Sequence, residues 1–142
     1  MKNVKNLSVL FILTLITSSL YAQGSRDLTG TTVDANAFRF EGENHTTVRL
    51  SVNIVSPDLN YADGVRFDFG SSNTILDAFV ETEMGIDPAV MIQGGEVVFG
   101  DSSDGMFNGD GIFEYGMLYN FIVHLDGQVA APLDIGFIVY DD

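Results

Sequence analysis

The sequence predicts an all-β fold, an antiparallel β-sandwich of immunoglobulin-like or jelly-roll-like form with about seven to eight strands. Three observations carry that expectation. Two stretches, His45 to Val55 and Met117 to Leu125, alternate apolar residues with a period of two, the signature of a strand with one face in a core. Turn-forming Gly, Asp, Asn and Pro recur at the spacing of short strands, and no amphipathic helical pattern follows the first residues.

The chain has 142 residues, 46% of them hydrophobic, enough for one domain with a core of its own. Its start reads differently from the rest. Lys2 and Lys5 precede an apolar run from Leu7 to Leu20, and Ala22 offers a cleavage point, so residues 1–22 have the form of a secretory signal peptide. The run is shorter than the about 20 residues that a helix needs to span a bilayer. Removing it leaves four arginines, no lysine and all 20 acidic residues, a net charge of −16. Such a field repels nucleic acid and anionic headgroups, and it keeps the protein soluble or favours cations and basic partners, a choice that its sign does not make. The expected partners are other surface or extracellular proteins or glycans. With no cysteine, neither a disulfide framework nor a thiolate metal site is available in the oxidising compartment that export implies.

Residues 23–30 (QGSRDLTG) are small and polar and read as a flexible lead-in, and residues 31–142 form the single domain. Thr31 to Phe40 begins with β-branched residues and ends with Phe38 and Phe40 flanking Arg39, a first strand. In His45 to Val55, Val48, Leu50, Val52 and Ile54 share one face, and Thr47, Arg49, Ser51 and Asn53 the other. A turn at Ser56 to Asn60 leads to Gly64 to Gly70, where Val65, Phe67 and Phe69 alternate with Arg66 and Asp68; residues 45–70 look like a strand pair. Thr74 to Glu83 favours strand over helix through its β-branched and aromatic content. Pro88 and the glycines of Met84 to Gly95 suggest a loop with a short edge strand near Val90 to Ile92, and Glu96 to Phe99 is a short strand. Met117 to Leu125 is apolar on one face and mixed on the other, which fits the middle of a sheet. Asp126-Gly127 reads as a hairpin turn into a last strand, Leu133 to Tyr140. Either the sheet ends there or the chain is a piece of a longer protein.

The run Asn60 to Phe69 (NYADGVRFDF), followed by Val97 to Asp101, Gly109 to Ile112 and a strand such as Leu118 to Leu125, resembles the β-sandwich modules of secreted and cell-surface proteins of Bacteroidota, cargo of the type IX export route. That resemblance covers residues 45–142 and implies an adhesive or spacer module without catalysis. It supplies no motif-matched functional residues. In such modules further glycine-rich acidic sequence and more domains follow the last strand.

The most site-like stretch is acidic. Asp101, Asp104, Asn108 and Asp110 sit among glycines, and calcium takes six to eight hard oxygens from such side chains and from carbonyls. These four are the candidate calcium ligands. The helix-loop-helix calcium motif fails, because its first place falls on Met106 and its twelfth on Met117. A solvated acidic turn, with Asp and Gly chosen for backbone geometry, is the competing reading. His45 and His124, the only histidines, have no partner at metal-ligand spacing in the sequence, which argues against zinc. No Gly-x-Ser-x-Gly elbow is present, and Glu96 with Glu114, or Glu81 with Glu83, would be the only glycosidase-like pairs. The expectation is therefore a non-catalytic exported module with a structural, adhesive or spacer role, calcium its only candidate cofactor. The alternative is a carbohydrate-binding module built on Tyr61, Tyr115 and Tyr119, against which the lack of tryptophan counts.

Overall fold

A computed structural model describes residues 12–13, 28–59, 61–81, 88–100, 113–129 and 132–140. They form β1 (Ile12–Leu13), β2 (Thr32–Phe38), β3 (His45–Asn53), β4 (Gly64–Asp68), β5 (Ile75–Glu81), β6 (Ala89–Gln93), β7 (Glu96–Gly100), β8 (Leu118–Asp126) and β9 (Gly136–Tyr140). Two antiparallel sheets result, β1-β2-β3-β8-β5 and β6-β7-β4-β9, the first consisting of four full strands with the two-residue β1 beside β2. The expected all-β sandwich is thus the observed architecture, and the described residues include no helix.

Alternation places the side chains. Val48, Leu50 and Val52 of β3 and Phe121, Val123 and Leu125 of β8 are fully buried, facing Val65 and Phe67 of β4 and Val97 and Phe99 of β7 across the sandwich. β8 lies between β3 and β5, in the central position that its second, mixed face suggested. On that outer face Ile122 is buried too, standing in register between Arg49 of β3 and Phe79 of β5.

An aromatic cluster joins the layers. Phe121 of the first sheet lies 4.7 Å from Phe99, 5.3 Å from Phe67 and 5.5 Å from Phe113 between ring centroids, and Phe67 stacks on Phe137 at 5.5 Å. Every residue in that chain of contacts is at most 4% exposed.

Two sequence expectations about pairing are overturned. Residues 45–70 do not form a strand pair: β3 pairs with β2 and β8, whereas β4 pairs with β7 and β9 in the other sheet. Asp126-Gly127 is not a hairpin turn, because both sides of β8 are occupied and β9 has to cross to the edge beside β4. The Gly127 N–H instead donates to the Asn44 carbonyl, and the Asp126 N–H to that of Thr74. Alternation reports which face is buried and says nothing about which sheet the next strand joins.

Among the described residues two consecutive pairs are closed by described turns, β2–β3 and β6–β7. The second turns on Gly94-Gly95, with Gly94 at φ 61°, the conformation that a two-residue II′ turn assigns to glycine at its first centre. Gly95 answers to a different constraint, since a Cβ there would stand 2.0 Å from the Gly70 carbonyl oxygen, and its own carbonyl accepts the Phe69 N–H at 2.8 Å. The turn of one hairpin thereby holds the end of β4.

Two stability measurements check this packing. Phe121→Ala should cost about 3–5 kcal/mol in urea unfolding, the range for a truncated core phenylalanine. Gly95→Ala should destabilise by more than the few tenths of a kcal/mol that an exposed Gly→Ala change alters elsewhere, whereas Gly42→Ala, with open space around it, should show only the cost of its φ of 92°.

Candidate functional site

The two ends of the sandwich differ. At one end β3 finishes at Asn53, β4 begins at Gly64 and β9 finishes at Tyr140, with Thr32 in register with Asn53 and Tyr140 with Gly64. β5 packs against β6 and β7, which leaves β2 and β9 on the same flank. β2 therefore begins, at Thr32, and β9 ends, at Tyr140, at one corner of the sandwich. The opposite end carries the β4–β5 turn, the β8–β9 connection and the β2–β3 and β6–β7 hairpins.

The candidate calcium ligands Asp101, Asp104, Asn108 and Asp110 lie outside the described residues. The flanks of the segment holding them are fixed at the end where β4 begins: Gly100 pairs with Gly64, and Phe113 exchanges two backbone hydrogen bonds with Ala62, at 2.9 and 3.0 Å. Among the described residues no group of three or more His, Asp or Glu side chains is placed to hold a metal ion.

Of the three tyrosines offered as a sugar platform, the structure unites two. Tyr61 and Tyr115 meet edge to face, 6.2 Å between centroids at 77°, an arrangement that presents no coplanar shelf. Tyr119 points inward and is 4% exposed; its hydroxyl accepts the Glu114 N–H at 2.7 Å. Burial raises its pKa above the ordinary tyrosine range, only partly opposed by that hydrogen bond.

The histidines, unpartnered in the sequence, are neighbours in space. The register of β3 on β8 sets their rings 4.6 Å apart on the outer face of the first sheet, where His124 Nδ1 is 2.5 Å from Asp77 Oδ1 and His45 Nε2 is 3.5 Å from Glu43. They are 79 positions apart, so no spacing rule could join them. Glu96 and Glu114 are not brought together: Glu96 sits at the far end and bonds Arg66 at 3.0 Å, and Glu114 lies near the end where β8 begins; Glu81 bonds Arg49 at 3.1 Å across β8. Glu83 is outside the described residues. Arg66 is held more firmly protonated than a free arginine, chiefly by a hydrogen bond with Tyr140 and then by the charges nearby, Glu96 and Asp68 among them.

A cleft of about 730 Å³ opens at the far end, between the β4–β5 turn and the β8–β9 connection. Asp68, Ser72, Asn73 and Asp134 supply its polar rim, and Leu133 and Ile135 its buried floor. Asp68 already accepts the Gly70 N–H at 2.8 Å, so one of its oxygens is committed to the turn.

No protein-family model matches the chain, and neither does any curated protein or solved structure.

Two measurements test these assignments. Because the folded pKa of Tyr119 is raised, its contribution is fully present below the unfolded tyrosine value of about 10 and is lost as pH rises through the folded value. Stability should therefore decline above about pH 10. Tyr119→Phe should cost about 1 kcal/mol at neutral pH and make that decline shallower. Arg49→Ala and Asp77→Ala should each shift stability by less than about 1 kcal/mol, since both belong to solvent-screened pairs.

Proposed function

We propose that the chain is an exported, non-catalytic β-sandwich module that works by adhesion or assembly at the cell surface, with calcium as a stabilising ligand of the loop bearing Asp101, Asp104, Asn108 and Asp110. The observation that carries this reading is the placement of Thr32 and Tyr140 at one corner. With the start of β2 and the end of β9 at one corner, the far end, which carries the cleft and the β2–β3 and β6–β7 turns, stands clear of both and is offered to a partner, which favours adhesion over spacing within the family of roles that the sequence suggests.

Export is supported by the form of residues 1–22, and an extracellular station by the charge of −16 that their removal leaves. Extracellular calcium reaches millimolar levels, and sites of dissociation constant about 10⁻⁴ to 10⁻³ M are useful there. The loop is acidic, rich in glycine and pinned at both flanks, so an ion bound in it would tie β7 to the start of β8.

Thermal melts with calcium and with EDTA test the ligand. With a dissociation constant of about 0.1 mM, about 1 mM calcium adds about 1.4 kcal/mol and raises Tm by about 4 °C. Replacing the four residues by alanine should abolish the rise, and equal melting temperatures in calcium and EDTA for the unaltered chain would remove calcium from the account. Adhesion is tested by deleting residues 31–142 from the gene of a producing cell. Loss of attachment to surfaces or neighbouring cells is expected, and undiminished attachment would contradict the proposal. Glycan-array binding that is lost in Tyr61→Ala would transfer the assignment to a carbohydrate-binding module.

A further inference from the structure

We propose that β6 is a self-pairing edge, through which two copies of the chain join their β6-β7-β4-β9 sheets into one continuous antiparallel sheet.

Exposed edge strands offer unpaired N–H and C=O groups, and proteins usually guard them with charge, a bulge or a cover. Two of the other edges show such guards: β5 carries Asp77 and Glu81 and a bulge between Ile75 and Asp77, and β2 carries Asp34. β9, Gly-Phe-Ile-Val-Tyr, is uncharged as well, but its inward side chains Phe137 and Val139 are at most 4% exposed and offer a partner little apolar surface. β6 reads Ala-Val-Met-Ile-Gln, without a charge, and its three central residues are exposed, Val90 by 40%, Met91 by 50% and Ile92 by 39%.

The turn fixes which groups are open. In a two-residue hairpin the positions flanking the turn form a hydrogen-bonded pair, and such pairs alternate along the ladder. Gln93 is opposite Glu96, so Gln93, Met91 and Ala89 direct their backbone groups to β7, and Val90 and Ile92 direct theirs to the open side. The side chains of Val90 and Ile92 stand in register with Phe99 and Val97, on the core side of the sheet.

Those two facts make the strand complementary to itself. Antiparallel pairing centred on Met91 sets Val90 against Ile92 of the second copy, and Ile92 against its Val90. Both pairs exchange hydrogen bonds and prolong the core row with β-branched side chains. Met91 meets Met91 of the second copy in the closer, non-hydrogen-bonded position, and Ala89 meets Gln93. The contact is isologous, so it closes at two copies and does not propagate into fibres.

The register selects the second copy as the occupant, and charge at β6 does not oppose it. With 20 acidic residues against six basic, two copies repel over most approaches. At β6 none of the five opposed pairs contains a charge, and Glu96, the first acidic residue beyond the turn, is already bonded to Arg66. A small, uncharged edge also gives a basic partner nothing to read.

This inference rests on the reading of the chain as an assembly or adhesion module. Sedimentation equilibrium of the purified protein up to about 1 mM tests it, because edge contacts of this size fall in the weak range. Met91→Lys and Met91→Glu replace a half-exposed side chain, and melting curves confirm that each variant folds. The unaltered chain should dimerise; each variant alone should do so at least about tenfold more weakly, as like charges meet across the axis, and a 1:1 mixture should recover the dimer as Lys meets Glu. A monomeric unaltered chain, a dimer indifferent to either substitution, or a mixture that stays monomeric would each overturn the proposal. A chain that is monomeric and still adheres would refute self-pairing alone and leave the adhesive role standing.

Discussion

Phe121 is the residue on which the rest of the structure depends, because it carries the first sheet into the second. Its ring stands among Phe67, Phe99 and Phe113, and Phe67 continues the contact to Phe137, so three of the four strands of the opposite sheet meet one side chain's neighbourhood. A chain without cysteine has no covalent tie between layers, and apolar burial, about 25 cal/mol per Å², has to serve instead. Edge-to-face aromatic pairs add to that burial while fixing the relative placement of the sheets. The exposed ion pairs Arg49–Glu81 and His124–Asp77 belong to another category, decorating an outer face that the core has already positioned.

The crossing of five connections between sheets follows from this arrangement. β8 has neighbours on both sides and β4 likewise, so each new strand can add only at an edge. The flanks of the acidic segment, Gly100 and Phe113, the Tyr61–Tyr115 pair, the start of β2 and the end of β9 share one end, while the cleft, the histidines and the β6–β7 turn occupy the other. The proposed adhesive role and the proposed self-pairing edge are compatible on such a plan: Thr32 and Tyr140 are at one corner, and β6 lies on the flank away from β2 and β9.

How much of this could be read from the residues depends on the range of the interaction concerned. The alternation of Val48, Leu50 and Val52 and of Phe121, Val123 and Leu125 is a property of single strands, and it located β3, β8 and their buried faces to within a residue or two. The short edge strand at Val90 to Ile92 was legible from Pro88 and the flanking glycines. Sheet membership was not, since Asp126-Gly127 has the composition of a hairpin turn whether or not an edge is free to receive the next strand. The His45–His124 contact was illegible for the same reason: it exists only once the β3–β8 register is set. Tyr119 was misassigned to a surface platform although it lies on the inward face of β8 with Phe121, a placement that its own alternation implied. The four candidate calcium ligands rest on composition and on the anchoring of their flanks.

The central claim is that β2 begins and β9 ends at one corner of the sandwich, and a distance measures it directly. With no native cysteine, spin labels at Thr32→Cys and Tyr140→Cys are the only thiol-borne labels in the chain. Sheets pack about 10 Å apart, so the label separation should lie in the range of about 10–20 Å, against about 30 Å for a control pair at Thr32 and Asp126, which stand at opposite ends of the first sheet. A Thr32–Tyr140 separation as long as the control would place the start of β2 and the end of β9 at opposite ends and contradict the account.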